Sequence, residues 1–372
     1  MTTSSGLADY ETQLVPTNKV ELRALTGVRF FAAFLVVLDH FSGTLEKIVP
    51  DTGHWPNFLL FRIFGGGAEA VSFFFVLSGF ILTFNYQTRE GAMIGSRRNF
   101  YVARLARIYP AYIFGFLLGA VPYFWSGPDP LRSAWVTAAL TLLLLQGWDR
   151  NALPWNGPAW SLSVEAFFYL LFPFLLRPLA RLKTRGLLIV VGLCYIVSFS
   201  GYYLNSRNIV GYGFALQGPI FRVPEFLIGM LAGRMFIEGA GRNLVSRIPS
   251  VAIFALTALA FIGVGVFSYP LRHGALLSPL FALLIYRLAI GSGKMAALLS
   301  AAPLLLLGEA SYALYITHSP ILTFLEHYLP SLPVAALFAL YAAGTVSLSV
   351  FVFLVIETPA RRAIRRRFSP AP

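Results

Sequence analysis

Apolar residues in this chain arrive in long blocks, at 25–44, 68–87, 105–126, 133–148, 159–177, 186–204, 219–237, 250–268, 274–291, 303–327 and 333–356. A helix that crosses a bilayer needs about 20 apolar residues, and most of these blocks reach that length. The pattern predicts an all-α polytopic membrane protein with eleven candidate spans. No internal repeat is evident, and no soluble domain is attached at either end.

Basic residues then test the count, because cytoplasmic loops collect Lys and Arg. Lys19 and Arg23 precede the first block, and Arg89, Arg97, Arg98, Arg104 and Arg107 fill the connection after the second. Arg177, Arg181, Lys183 and Arg185 follow the fifth, Arg242 and Arg247 the seventh, and Lys294 the ninth. Arg361, Arg362, Arg365, Arg366 and Arg367 crowd the end. All of them fall on one side only if one block between the second and third clusters enters and returns. The shortest is 133–148, flanked by Pro128, Pro130 and Pro154. Treating it as re-entrant predicts ten transmembrane helices with both termini cytoplasmic; eleven crossings with one misplaced loop is the alternative. Non-spanning backbone at membrane depth is buried in protein or lines a cavity, so 133–148 is expected to wall the outer half of an internal chamber. The organisation is a polar leader over 1–20, an integral membrane domain over 21–360 and a basic cytoplasmic tail over 361–372.

Composition agrees. The 372 residues are 57% hydrophobic and 12% charged, against about 25% charge in soluble domains, and mean hydropathy is +0.70. Thirty-four Phe and 17 Tyr suit lipid-facing and interfacial positions. The net charge of +13 sits in short loops between apolar blocks, which makes it a topology signal and argues against nucleic-acid binding. The single cysteine, Cys194, forms no intrachain disulfide and builds no thiol metal site. The leader, with Asp9 and Glu11, lacks the basic start of a cleaved signal peptide.

Chemistry concentrates in LTGVRFFAAFLVVLDHF, where Arg29, Asp39 and His40 interrupt an apolar run. Ionisable groups within a span usually face a cavity, a partner or a pathway. Arg29 and His40 are eleven positions apart, which returns them to within about 20° of one helix face, roughly 16 Å apart along the axis. His40 near the outer end can act as a general base on a hydroxyl. Asp39 projects about 100° away from it. A second intramembrane histidine, His318, follows Glu309, Tyr312 and Tyr315 at three-residue steps in GEASYALYITHSPIL. This broad polar stripe, with Pro320 breaking the ladder after it, suits a cavity lining. Arg97, Arg98, Arg104 and Arg107 match a phosphate-rich donor arriving from the cytoplasm; plain positive-inside anchoring is the alternative. Glu69 opens the second span, and Trp160 and Glu165 lie in PAWSLSVEAFFY. Arg222 and Glu225 are spaced to neutralise each other. Ser78 and Gly79 lie mid-span in VSFFFVLSGF, where small residues admit a neighbouring helix or a substrate. No G-x-S-x-G elbow surrounds Ser78, and no cluster has metal-ligand spacing.

Together LRALTGVRFFAAFLVVLDH, AVSFFFVLSGFILT, RRNFYVARLARIYPAY, NGPAWSLSVEAFFYLLFP, SYALYITHSPIL and IETPARR resemble the membrane acyltransferase-3 family, the O-antigen and exopolysaccharide O-acyltransferase type. The matching pieces run from about residue 21 to 362. The resemblance implies a ten-helix inner-membrane enzyme that moves an acyl group from cytoplasmic acyl-CoA to a carbohydrate hydroxyl at the outer face. It implies that Arg29 and His40 are the essential pair and that Arg104 and Arg107 form the Arg-x-x-Arg loop of the CoA side. Glu165 and His318 match further recurrent polar positions. Some members carry a C-terminal hydrolase-like domain; this chain ends at Pro372 without one, so a step needing it would require a partner.

The resulting expectation is an O-acyltransferase, acetyl first among its acyl groups, using acyl-CoA as co-substrate with no bound cofactor and no metal. His40, Arg29 and Asp39 form the catalytic set; Arg97, Arg98, Arg104, Arg107, Ser78 and Gly79 bind donor; Glu165, Trp160, His318, Tyr315 and Glu69 line the acceptor side. Partners are acyl-CoA, a carbohydrate or glycolipid acceptor, the bilayer and polysaccharide-assembly proteins. Two other classes compete. A proton-coupled transporter also uses buried His and Glu and broken helices, but predicts inverted repeats. A polysaccharide-assembly scaffold would tolerate loss of Arg29 and His40.

Overall fold

The computed structural model describes residues 22–47, 49, 57–125, 131–149, 155–209, 211, 217–264 and 276–368. The leader over 1–20, Pro128, Pro130, Pro154 and the last residues of the tail, 369–372, lie outside them. The described residues are helical, with one isolated bridge between Gln87 and Met93 and no strand. In chain order the helices are α1 (Arg23–Glu46), α2 (Asn57–Phe64), α3 (Gly67–Tyr86), α4 (Arg97–Trp125), α5 (Leu131–Leu142), α6 (Trp160–Arg181), α7 (Thr184–Ser206) and α8 (Val223–Glu238). They continue with α9 (Arg242–Arg247), α10 (Ser250–Val264), α11 (Ser278–Ala289), α12 (Lys294–Leu299), α13 (Ala302–Glu309), α14 (Ser311–Tyr328) and α15 (Val334–Phe351). A π-helical turn, Val352–Glu357, joins α15 to α16 (Thr358–Phe368).

Among the described residues six helices are long and apolar enough to cross a membrane: Arg23–Glu46, Gly67–Tyr86, Arg97–Phe124, Gly157–Arg181, Arg185–Ser206 and Val334–Phe368. Two shorter apolar helices, Ser250–Val264 and Ser278–Ala289, accompany them. Burial is inverted relative to a water-soluble protein. Leu188, Leu193 and Ile196 of α7 are 68%, 56% and 66% exposed, whereas Arg62, Glu69, Arg222, Glu225 and Glu357 are buried. An apolar outside around a charged inside is stable where the surroundings are hydrocarbon. The chain is a multi-pass membrane protein.

Close helix approach depends on glycine. A Cβ on Gly79 of α3 would come within 3.1 Å of the Gly229 backbone in α8, and one on Gly229 within 3.1 Å of Gly79 Cα. Small residues let two backbones touch in a setting where apolar side chains gain little from leaving lipid. Helix ends follow local rules: Pro224 opens α8 in its first turn, and Gly239 closes it at φ 74°, a left-handed conformation that costs glycine little.

The 133–148 block becomes α5 and a 3₁₀ turn, Gln146–Trp148. Twelve residues give α5 a length of about 18 Å, less than a hydrocarbon core of about 30 Å. Protein groups hold the turn: Gln146 Nε2 donates to the Ala159 carbonyl (2.7 Å), Gly147 N–H donates to Ser163 Oγ (3.2 Å), and Ser163 Oγ donates to the Leu144 carbonyl (2.6 Å). The expectation that this block walls the chamber is corrected. It packs on α4 and α6, whose polar side chains reach its backbone, and it contributes nothing to the cavity described next.

Candidate functional site

A cavity of about 300 Å³ lies among α1, α3, α4, α6 and α14. Its walls are mostly apolar, with Leu25, Leu77, Ile108 and Leu162 among them, but three guanidinium groups, Arg29, Arg104 and Arg107, reach it beside one carboxylate, Glu165. The size matches small-ligand pockets, which begin near 300 Å³. Arg29 makes no hydrogen bond or ion pair with any other described residue. A fixed cation left unpaired in an apolar wall is poised for an anion.

The other two arginines are held by neighbours. Arg104 Nη2 donates to Tyr86 Oη (3.3 Å), and its guanidinium lies 5.5, 5.9 and 5.7 Å from the rings of Tyr86, Phe100 and Tyr169. Arg107 is ion-paired to the buried Glu357 and sits 5.4 Å from the Tyr312 ring. Glu165, which the sequence left without a partner near the outer face, accepts from Ser78 Oγ (3.2 Å) and from Tyr169 one turn along α6. Ser78 faces the cavity, and Tyr315 lines it too, its hydroxyl donating to the Pro158 carbonyl (2.9 Å) and lying 2.7 Å from Ser161 Oγ.

His40 and His318 stand beyond the far end of the cavity and meet each other. Their ring centroids are 4.6 Å apart at 77°. His40 Nδ1 donates to the Val36 carbonyl (3.0 Å) and His318 Nδ1 to the Tyr315 carbonyl (2.7 Å). A carbonyl only accepts, so the neutral form of each ring is the tautomer with its proton on Nδ1 and its lone pair on Nε2. His318 is fully buried, and its Nε2 has no hydrogen-bond partner among the described residues. The sequence spacing placed Arg29 and His40 on one passage. The structure places Arg29 in the cavity lining and both histidines outside it, with Tyr315 lining the cavity and its ring reaching His318. The rings run Phe74 to Tyr315 at 6.5 Å, Tyr315 to His318 at 5.9 Å, and His318 to His40 at 4.6 Å.

Other expected residues are engaged elsewhere. Asp39 accepts from the Gly67 N–H (3.1 Å) at the first turn of α3 and lies 3.9 Å from His40 Nδ1; it serves an orphan helix-start donor. Glu69 pairs with Arg62 of α2 at 2.6 Å, both buried, and does not face the cavity. Gly79 is taken up by the contact with α8, as above. Trp160 packs on Phe75 at 6.3 Å and lies 6.0 Å from the Arg222 guanidinium, outside the cavity lining. Arg97, 4.7 Å from the Phe174 ring, and Arg98 are exposed at the start of α4. Arg222 and Glu225 neutralise each other at 2.7 Å, with Ser72 bridging them. Glu309 ends α13 and Tyr312 lies in the first turn of α14, so the polar stripe spans a helix break at Ala310. Among the described residues no group of three His, Cys, Asp or Glu side chains is placed to hold a metal ion. The sequence missed Glu357, Tyr169 and Phe74. Of these only Glu357 carried a signal, a lone acid closing the last apolar block.

Fold and cavity define a polytopic membrane protein with a cationic internal chamber adjoining a pair of imidazoles, His318 buried and His40 about a third exposed. The chain belongs to the acyltransferase-3 family: the family's "Acyltransferase domain" model matches residues 22–355. Acyltransferase MdmB of Streptomyces mycarofaciens is 28% identical over 382 residues, covering 95% of this chain and 95% of that protein. Nodulation protein 10 of Rhizobium leguminosarum bv. viciae is 26% identical, covering 92% of this chain and 95% of its own. The O-acetyltransferase OatA of Staphylococcus aureus (strain NCTC 8325 / PS 47) is 25% identical over 94% of this chain, which spans 57% of the length of OatA. No solved structure matches.

Proposed function

We propose that this protein is an integral membrane O-acyltransferase of the cytoplasmic membrane. It moves an acyl group, acetyl first among candidates, from cytoplasmic acyl-CoA to a hydroxyl of a cell-envelope or exported carbohydrate. One observation carries the reading: Arg29 and two further arginines face a chamber whose lining Tyr315 touches His318, the partner of His40 in a close histidine pair. Family membership and a relative named as an O-acetyltransferase support it.

In this reading the basic end of the bundle faces the cytoplasm, as the positive-inside rule requires, with ten crossings and both termini inside. The donor's phosphates meet the exposed Arg97 and Arg98, then Arg104 and Arg107 at the chamber wall. The pantetheine arm enters past Arg29, and the thioester reaches Phe74 and Tyr315, whose rings must part to admit it to His40. The acceptor hydroxyl approaches from the opposite side. His40 Nε2 takes its proton as the oxygen attacks the thioester carbonyl; the C–S bond breaks, and the same proton passes to the departing CoA thiolate. A transient acyl group on His40 satisfies the same balance in two steps. Arg29 is within the chamber to stabilise an oxyanion or a donor phosphate.

The test uses the purified chain in lipid nanodiscs with acetyl-CoA and a panel of glycans, following free CoA and acylated sugar. Native protein should release CoA only when acceptor is present. His40→Ala should lower the rate by about 10²–10⁴ while remaining folded. Native-like transfer by that variant, or glycan movement with no CoA release, would overturn the proposal; the second outcome is what a transporter predicts.

A further inference from the structure

The last helix of the bundle carries a buried acid that the mechanism above does not use. Buried positions fall at Leu337, Tyr341, Thr345 and Ser349 of α15, four apart, and then at Val352, Phe353 and Glu357 of the π turn. At about 100° per residue, each four-residue step drifts some 40° around an α-helix. The wider π turn over Val352–Glu357 takes back that drift at the last step and returns Glu357 to the buried face. There its carboxylate, fully buried, pairs with Arg107 of α4 and lies 3.9 Å from Arg361 Nη1 one turn along α16. Arg107 and Arg361 are both more exposed than the acid between them. Arg29 shares the chamber with Arg107, so several guanidinium groups gather near the fully buried Glu357, with Glu309 the other acid acting on Arg107 and Arg361.

We propose that Glu357 is a positioning residue for the donor site: it fixes the Arg107 guanidinium at the chamber wall and leaves the rest of its N–H fork for a donor phosphate. The inference rests on the acyl-CoA reading. Arg107 has five N–H donors in a rigid fork, and the acid takes one edge from behind while the Tyr312 ring braces a face. Glu357 stays in place when the donor binds, because a buried carboxylate stripped of its cation is strongly disfavoured. An unclamped Arg107 would be pushed by Arg29 and Arg361 and would lose orientation before it lost charge. Removing the acid therefore weakens donor binding more than turnover.

The experiment measures binding of tritiated acetyl-CoA to the full chain in nanodiscs, alongside thermal unfolding and mass-spectrometric labelling of Arg107 by phenylglyoxal. Glu357→Gln, folded, should bind acetyl-CoA about tenfold more weakly, the loss of roughly one charged hydrogen bond. Its Arg107 should label faster than in native protein. Glu357→Asp, which keeps the charge, should fall between. Native affinity in a folded Glu357→Gln overturns the inference. Should Glu357→Gln fail to fold, native affinity and native labelling in Glu357→Asp overturn it instead. If native protein binds no acetyl-CoA, the donor reading fails on its own; labelling then decides the clamp, and equal rates in native protein and Glu357→Gln overturn it.

Discussion

Replacing Glu69 by leucine tests whether this acid serves the substrate or the scaffold. Glu69 and Arg62 lie 2.6 Å apart with 3% and 2% of their side chains exposed. Removing one partner of such a pair strands the other charge and costs about 3–5 kcal/mol. Arg62 would retain the Phe261 carbonyl at 2.9 Å and that residue's ring at 4.1 Å, which places the loss near the lower end, about 3 kcal/mol. That is about two decades in the folded-to-unfolded ratio. The double variant Arg62→Met/Glu69→Leu removes both charges and keeps the volume. Apolar replacement of a buried pair is often neutral or better, so the double should stand within about 1 kcal/mol of native. Denaturation of the purified protein in mild detergent, read as the monodisperse fraction against temperature or SDS, ranks the three. A single variant as stable as native protein, or a double no better than the single, would refute the ion-pair account. Transfer per folded molecule is measured alongside, since a well-folded double with no activity would return Glu69 to the acceptor side.

Three further outcomes are expected. His40→Ala should lose about 10²–10⁴ in transfer rate with an unchanged unfolding profile, checked by CoA release. Gly79→Leu should force α3 from α8 and cost at least about 1–3 kcal/mol, seen as a lowered unfolding midpoint, whereas Gly43→Ala, with nothing within 4 Å of the new Cβ, should match native protein. Asp39→Ala should lose about 1 kcal/mol through the Gly67 N–H, while Asp39→Asn, which keeps an acceptor oxygen, should lose little in a thermal melt.

What was legible in the sequence were features confined to one helix. Arg29 and His40 stood out because no wet face could explain charges within α1, and the Arg222–Glu225 pair could be read from its three-residue spacing. Partners far apart along the chain were not legible. His40 and His318 are separated by 278 positions, and Ser78 and Glu165 by 87, and no periodicity links them. Glu69 looked unpaired because Arg62 lies on α2, a short helix in what read as a connection. Gly79 offered two uses until Gly229 appeared opposite it. Glu357 passed unnoticed because it ends an apolar block just before a basic tail, and only the π turn shows why it faces inward. The apolar run of 133–148 showed in the sequence, but its shortness as α5 and its contacts with α4 and α6 came from the fold alone.

The paired rings of Phe74 and Tyr315 also bear on the membrane's own economy. A bilayer that stores an ion gradient cannot host a standing column of water, and a catalyst fed from both faces would otherwise provide one. If donor and acceptor arrive from opposite faces as proposed, the rings of Phe74 and Tyr315, 6.5 Å apart between the Arg29 cavity and His318, stand where protons and small ions would otherwise cross. Such a protein can be abundant without short-circuiting the cell that carries it.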